Sequence, residues 1–354
     1  MKLIHCADLH LDSPMESNLP QAKARERKRE IRATFSRLVR LADENGAEGI
    51  LIAGDLFDGT RVTKSTETYV RDLIAAHPDL NFFYLAGNHD RGGSLRNGEE
   101  LPENLFLFGD EWTSHQMGDV IITGSERPNP DTLRLLPYRI NILLLHGQVR
   151  SGRGASRDEA IHLSEYKNKD IDYIAMGHEH EYKAYRVDER ATACYAGCLE
   201  GRGFDECGQK GYVLLDIRDR HVTRTFVPFA TRTLHTVSCD VGDCRSQYDM
   251  ETRLLKAVEE ISAEDMVKVV LTGACPFDAQ KDTAHLLGLL AERFYFAKLK
   301  DECRLLIRPE DYRNDISLKG EFIRRVMDSR MSDAEKERVI ACGLRALAGE
   351  EIGL

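Results

Sequence analysis

Short apolar runs alternate with helical patterns over the first 235 residues of the chain. Each run has the length of a buried strand and is followed by a turn rich in glycine or aspartate. Between the first two runs, Ile31, Phe35 and Leu38 recur at helical spacing. Strands that alternate with helices predict a layered α/β domain. The five runs cover residues 2–7, 49–53, 81–86, 140–145 and 171–176, and further strands are predicted at 119–124, 193–197, 211–217 and 222–228.

The pattern changes near residue 235 and indicates a second, smaller domain of α+β type. Its predicted elements are helices around 249–261 and 281–292 and strands at 266–271 and 304–308. From residue 319 the chain predicts one or two amphipathic helices. Their two apolar faces contain Phe322, Val326 and Met327, and Val339, Cys342, Leu344 and Leu347. We therefore expect three parts, with boundaries at 1–235, 236–316 and 317–354.

The composition is that of a soluble globular protein, because 42% of the residues are apolar and 31% are charged. No apolar stretch reaches the length needed to cross a bilayer, and the N-terminus MKLIHCADLH is no secretory signal. The nine cysteines are irregularly spaced and lack the paired spacing of a structural zinc site. We expect reduced thiols, a cytoplasmic location and no association with a membrane.

The formal net charge of −10 speaks against a surface coated with basic residues for nucleic-acid binding. A substrate that contains phosphate is still compatible with this charge. Bound metal ions can supply local positive charge that the total does not include.

Metal-capable side chains follow each of the five apolar runs. In open α/β sheets, ligands bind beyond the carboxyl ends of the strands, so five strand ends deliver these groups to one side. Each group alone could be an exposed histidine, a cap or an Asx turn, but their presence after all five runs favours one site. The groups are Asp8 and His10, Asp55 and Asp58, Asn88, His89 and Asp90, His146, and His178 and His180.

The types of side chain indicate a pair of divalent cations. Oxygen and imidazole donors without thiolate suit Mn²⁺, Fe or Zn²⁺. Two dications about 4 Å apart repel by roughly 17 kcal/mol even at an effective dielectric constant of about 20. A carboxylate that bridges both ions reduces this repulsion, and Asp55 is the candidate.

The same residues form five ordered motifs, which are DLH at 8–10, GDLFD at 54–58, GNHD at 87–90, HG at 146–147 and GHEH at 177–180. Together they resemble the calcineurin-type metallophosphoesterase superfamily over about residues 1–235. Within that superfamily, MKLIHCADLHLDSP at 1–14 and YAGCLEGRGFDE at 195–206 resemble the DNA double-strand-break repair exonucleases of the SbcD and YhaO types. The segment SLKGEFIRRV at 317–326 is similar to the YhaO type.

The resemblance implies a four-layer α/β/β/α catalytic sandwich, a smaller α+β cap domain at 236–316 and C-terminal helices. It implies two divalent ions, with Mn²⁺ favoured over Fe or Zn²⁺. His89 would protonate the leaving oxygen or stabilise the phosphate, and Asp58 would orient it, although some relatives have histidine at the position of Asp58. Metal one would be bound by Asp8, His10 and His180 and metal two by Asn88, His146 and His178, with Asp55 bridging.

Three other features have two interpretations each. Arg150, Arg153 and Arg157 follow His146 in a glycine-rich segment and could contact DNA phosphates or lie in a solvated loop. KARERKRE at 23–30 could contact DNA or be the solvated start of a helix, and its alternating charges favour the solvated helix. The C-terminal helices either pack on the cap domain or present an apolar face to a partner.

The leading hypothesis is a metal-dependent DNA exonuclease or endonuclease that is the catalytic subunit of an ATPase-linked repair complex. DNA and an SMC-like coiled-coil ATPase subunit are the expected partners, and a homodimer is an open alternative. One rival function is a phosphodiesterase or phosphatase for small nucleotides or phosphoproteins, because the same two-metal chemistry serves all of them. Another is a scaffold subunit for the ATPase, against which the complete ligand set speaks.

Overall fold

The computed structural model describes residues 1–15, 19–59, 62–90, 95, 100–150, 160–276, 281–306 and 312–347. The chain divides into two compact units, Met1–Leu234 and His235–Leu354. A search of the described helices finds none with the length and hydropathy of a membrane span. All nine cysteines lie in the described ranges and are free thiols.

The first unit contains two six-stranded sheets in its described residues. The strands of the first sheet are β1 (Lys2–Cys6), β2 (Gly49–Ala53), β3 (Asn81–Leu85), β4 (Leu105–Leu107), β13 (Gly211–Arg218) and β14 (His221–Pro228). Those of the second are β5 (Thr113–Met117), β6 (Val120–Gly124), β7 (Ile140–His146), β10 (Tyr173–Gly177), β11 (Lys183–Arg186) and β12 (Thr192–Tyr195), and a separate short pair is β8 (Gln148–Val149) with β9 (Ala160–Ile161). The first sheet has the order β14-β13-β1-β2-β3-β4 and the second the order β11-β12-β10-β7-β6-β5. Most neighbours are parallel, whereas β13, β5 and β11 pair antiparallel with their neighbours.

The two sheets pack face to face because their central strands are apolar on both sides. In β7, Ile142 and Leu144 enter the core between the sheets, whereas Leu143 and Leu145 enter a second cluster on the outer face. Helices α1 (Gln21–Glu44) and α2 (Lys64–Ala75) supply the outer layer of the first sheet. In the described residues, the 3-10 helix Leu163–Tyr166 helps to cover the outer face of the second sheet. The predicted layered α/β fold is confirmed.

The interpretation of residues 23–30 as a solvated face is wrong for Arg27. Its side chain is buried and forms an ion pair with the buried carboxylate of Glu200, 2.9 Å away. The alternating charges of this helix do not reveal the contact, because the partner lies 173 residues further along the chain.

The second unit contains a small mixed domain and a helical pair. Its three-stranded sheet and the helices α3 and α4 enclose a core that includes Val267, Leu254 and Leu286. The two C-terminal helices share a separate buried cluster, in which Ile340 and Leu344 are buried while Val339 and Leu347 remain partly exposed. The elements are β15 (Leu234–Asp240), α3 (Gln247–Ala257), β16 (Met266–Thr272), β17 (Ala274–Pro276), α4 (Thr283–Arg293), β18 (Phe296–Asp301), β19 (Arg304–Leu306), α5 (Leu318–Met327) and α6 (Asp333–Leu347).

Candidate metal centre

Five strands of the first unit end at one site. The segments that follow β1, β2, β3, β7 and β10 bring all of the predicted metal ligands into one cluster of contacting side chains. The assignment of each residue to one of two metal ions stays a prediction. These residues are Asp8, His10, Asp55, Asn88, His146, His178 and His180.

One half of the cluster is formed by Asp8, His10 and His180, whose candidate ligand atoms all lie within 4.8 Å of one another. The Nε2 atoms of His10 and His180 are 3.2 Å apart. Two imidazole nitrogens that bind one ion at about 2.1 Å are separated by about 3.0 to 3.4 Å in octahedral or tetrahedral geometry. The spacing of these two rings therefore fits a shared ion.

Asp55 lies between the two halves of the cluster. Its Oδ2 atom is 3.8 Å from His10 Nε2 and 3.4 Å from His146 Nε2. Its Oδ1 atom accepts a hydrogen bond of 3.0 Å from the backbone N–H of His89, which fixes the orientation of the carboxylate. This position is suitable for a carboxylate that bridges two ions.

The other half contains one amide and two imidazoles. Asn88 Oδ1 lies 2.8 Å from His146 Nε2 and 3.3 Å from His178 Nδ1. With Asp55 they offer two oxygen and two nitrogen donors, a set without thiolate that suits Mn²⁺, Fe or Zn²⁺.

Two of the histidines are held from the side that faces away from the cluster. The Nδ1 of His146 donates to the carbonyl oxygen of Ala53 at 2.9 Å, and the Nδ1 of His180 donates to Glu206 Oε1 at 2.7 Å. Such contacts fix the ring orientation and leave Nε2 as the donor for a metal ion, as is usual for metal-binding histidines.

The backbone at this site is strained. Asp8, His10, Asp55 and His178 have φ angles of 51°, 48°, 50° and 106°, in a region that residues other than glycine seldom adopt. Strain of this kind concentrates at functional sites, where surrounding structure maintains it. Here it turns the side chains that follow each strand back toward the cluster.

The electrostatics of the cluster also fit bound cations. Burial is the main cause that raises the pKa of Asp8 to about 7, with His146 opposing the shift and Asp55 adding to it. Asp55 is also buried, but the hydrogen bond and charge of His146 outweigh burial and lower its pKa to about 2. Burial lowers the pKa of His146, but Asp55 outweighs it and raises that pKa to about 9. The buried carboxylates thus need a nearby positive charge to stay ionised, and divalent ions also supply such a charge.

His89 lies at the rim of the cluster and is the most accessible of the predicted catalytic groups. Its side chain is 45% exposed, and its Nδ1 is 3.2 Å from Asp58 Oδ1. The same oxygen is 3.5 Å from His10 Nδ1. The interaction with His10 is the main cause that holds the pKa of Asp58 below its usual value, so Asp58 is an ionised partner for both rings.

Asp90 holds the backbone of the site by hydrogen bonds. It is buried and accepts hydrogen bonds from the backbone N–H of Leu56 at 2.8 Å and from the hydroxyl of Tyr84 at 2.5 Å, as well as from the N–H of Gly87. These contacts join the segments that follow β2 and β3, which supports the turn interpretation of Asp90.

Sequence reasoning missed two residues of the site, Arg202 and Glu206. They lie after β12, in the YAGCLEGRGFDE segment that carried the family resemblance, which was the available signal. Of the predicted DNA contacts, Arg150 follows the short strand β8, and Arg153 and Arg157 lie outside the described residues.

The sequence model of the family described as calcineurin-like phosphoesterase matches residues 1–182, just over half of the 354 residues. The chain therefore belongs to the calcineurin-like phosphoesterase family, and it is a phosphoesterase by class. The predicted resemblance is confirmed.

The chain is also similar to individual curated proteins. The chain is 25% identical over 302 residues to the uncharacterized metallophosphoesterase YhaO of Bacillus subtilis, covering 78% of this chain and 72% of the relative. It is 24% identical over 366 residues to the DNA double-strand break repair protein Mre11 of Archaeoglobus fulgidus, covering 91% and 78%. A solved structure, TT1561 of Thermus thermophilus, covers 64% of this chain and 98% of its own with a TM-score of 0.40 and 13% identity.

Proposed function

We propose that the chain is a metal-dependent nuclease that hydrolyses phosphodiester bonds in DNA. The observation that carries the proposal is the convergence of seven oxygen and imidazole donors beside an accessible His89–Asp58 pair. The similarity to proteins named for DNA double-strand break repair supports DNA as the substrate.

Two divalent ions would be held by the ligand sets assigned above, with Asp55 shared between them, and Mn²⁺ is the first candidate before Fe or Zn²⁺. When bound, such ions activate water and neutralise charge on the phosphoryl oxygens. The residues of the chain orient these ligands. Glu206 and the carbonyl of Ala53 hold the rings of His180 and His146, so the donors are in place before substrate arrives.

His89 would supply the proton for the leaving oxygen. Its Nδ1 faces the ionised carboxylate of Asp58, which fixes the orientation of the ring and leaves Nε2 to donate. Because the ring is 45% exposed, a phosphodiester can reach it from solvent.

The test replaces His89 by alanine and measures cleavage of end-labelled duplex and single-stranded DNA with Mn²⁺. We expect cleavage to fall by about 100-fold or more, because general-acid catalysis is lost, while the metal content stays that of the wild type. His221→Ala removes an exposed histidine of β14 as the matched control and should cleave normally. DNA cleavage by His89→Ala at the wild-type rate contradicts the mechanism, and wild-type turnover of small phosphodiesters alone favours the rival function.

The proposal includes an SMC-like coiled-coil ATPase as partner and the cytoplasm as location. Ile316, two residues before α5, is 100% exposed, and Leu318, the first residue of α5, is 71% exposed. Such side chains give a partner helix an apolar surface to bind. The nine free thiols agree with a reducing compartment.

A further inference from the structure

Arg202 contacts both of the carboxylates that hold functional histidines. Its Nη2 and Nε donate to Glu206 Oε1 at 2.7 and 3.1 Å, and its Nη1 lies 3.6 Å from Asp58 Oδ2. The side chain is only 19% exposed. One guanidinium group therefore joins two acidic side chains that belong to different parts of the chain.

The contact with Glu206 connects Arg202 to the metal centre. Glu206 accepts the hydrogen bond from His180 Nδ1 with the same Oε1 that Arg202 binds, and its Oε2 accepts from the backbone N–H of Arg202 at 2.7 Å. Because Oε1 accepts from both the guanidinium and the His180 ring, and Oε2 accepts from the backbone, the Glu206 carboxylate has little freedom to rotate. The His180 ring is fixed with it.

The contact with Asp58 connects Arg202 to His89, the proposed proton donor. Asp58 turns Oδ1 toward His89 and His10 and Oδ2 toward Arg202. Loss of the guanidinium would remove one of the contacts that orient Asp58 toward His89, and would leave two neighbouring carboxylates without the cation that they share.

Arginine suits this position better than lysine. The planar guanidinium presents its donors in a rigid fork, so it can meet two carboxylates in fixed directions, whereas an ammonium group acts as a single point of charge.

We propose that Arg202 is a positioning residue that sets the orientation of the metal ligand His180 through Glu206 and of the proton donor His89 through Asp58. The role of Arg202 in orienting His89 rests on the proposed nuclease function. Its role in orienting His180 can be tested without any substrate.

The first experiment measures Mn²⁺ affinity by isothermal titration calorimetry for Arg202→Met and Arg202→Lys in the full chain. We expect both to bind Mn²⁺ about tenfold more weakly, at the low end of the effect of residues that orient metal ligands. The control is Arg190→Met, because Arg190 forms a similar bidentate pair with Asp172 at the opposite ends of the strands and should leave the affinity unchanged.

The second experiment compares two leaving groups. A nitrophenolate leaves without help from an acid, whereas the alkoxide of DNA needs a proton. Arg202→Met should therefore reduce kcat on DNA about tenfold more than kcat on bis-p-nitrophenyl phosphate, with KM unchanged, if His89 is misplaced. Added guanidinium should restore part of the DNA cleavage of Arg202→Ala.

The proposal is overturned if a folded Arg202→Met protein has the wild-type Mn²⁺ affinity and also the wild-type ratio of the two kcat values. If Arg202→Met does not fold, Arg202→Lys decides, because it keeps the charge and loses the fork, and unchanged affinity in that variant also overturns it. If the wild-type chain cleaves no DNA, the proposed function fails, and the Mn²⁺ titration still decides the role of Arg202.

Discussion

Gly177, the last residue of β10, leaves no room for a side chain. A Cβ at this position would overlap the carbonyl oxygen of Ala53 in β2 and lie 2.9 Å from both Ala7 Cβ and His146 Nδ1. Because β2 and β10 belong to different sheets, this is a point where the backbones of the two sheets approach closely. The approach places His178 and His180 beside the donors that follow β1 and β2.

Gly177→Ala should therefore destabilise the fold by about 3 kcal/mol or prevent folding, because rigid backbone surrounds the added methyl group. Urea denaturation measures this loss. Gly109 is the matched control, since a Cβ there meets nothing within 4 Å, and Gly109→Ala should change the free energy of unfolding by less than about 0.5 kcal/mol. A wild-type unfolding midpoint for Gly177→Ala contradicts this account.

At the residue scale, the predicted ligands could be found because each follows an apolar run within a short motif. Arg202, Glu206 and Arg27 could not be found this way, because their roles depend on tertiary contacts. Glu206 contacts His180, which lies 26 positions earlier in the chain, and Arg27 contacts Glu200, which lies 173 positions later. The YAGCLEGRGFDE segment marked the neighbourhood of Arg202 and Glu206, but the charge and spacing of these residues do not distinguish them from solvated ones.

At the scale of elements, helix α1 is bound to the segment that carries Arg202 and Glu206. Arg27 Nη2 donates to Glu200 Oε2 and to the carbonyl oxygen of Gly201, both at 2.9 Å. Thr34, two turns further along α1, donates to Glu200 Oε1 at 2.7 Å. The helix thus fixes the beginning of a segment whose end orients His180.

Glu200→Ala should cost about 3 kcal/mol in the free energy of unfolding, because it removes the buried carboxylate beside the guanidinium of Arg27 and leaves Glu30 as the remaining ionic partner. The double variant Arg27→Met with Glu200→Leu should recover most of this loss. Chemical denaturation measures both. Glu26→Ala, which breaks an exposed pair with Lys23 on the same helix, should cost less than about 1 kcal/mol. Equal losses for Glu200→Ala and Glu26→Ala would show that burial of the pair does not matter.

Most of the buried strands were visible in the sequence because they are apolar and continuous, as in β7. Eight of the described strands were not predicted, namely β4, β5, β8, β9, β11, β15, β17 and β18. Six of them have five residues or fewer and are shorter than the predicted apolar runs or largely polar, as in KAYR of β11, and pairing with a neighbouring strand decides their conformation. Of the apolar face predicted for α6, Leu344 is buried, whereas Val339 and Leu347 are partly exposed, and the buried Ile340 was not predicted.

At the scale of the whole molecule, the proposed ATPase contact can be separated from catalysis. Ile316→Asp combined with Leu318→Asp places charge on the exposed apolar start of α5, and we expect ATPase affinity to fall at least about tenfold with DNA cleavage retained. Co-purification with an SMC-like ATPase and the nuclease assay measure the two effects. The control Tyr248→Asp changes a side chain on α3 that is 73% exposed, and it should bind normally. Undiminished binding by the double variant argues against docking on α5.

The left-handed backbone of Asp8, His10, Asp55 and His178 has a consequence for evolution and engineering. Each such conformation costs roughly 1 kcal/mol or more for a residue with a side chain and little for glycine. Selection of a random library for heat resistance alone would therefore enrich glycine at these four positions. The selected proteins would be more stable to heat but catalytically inactive, so thermal stability and function are opposed at the same four positions.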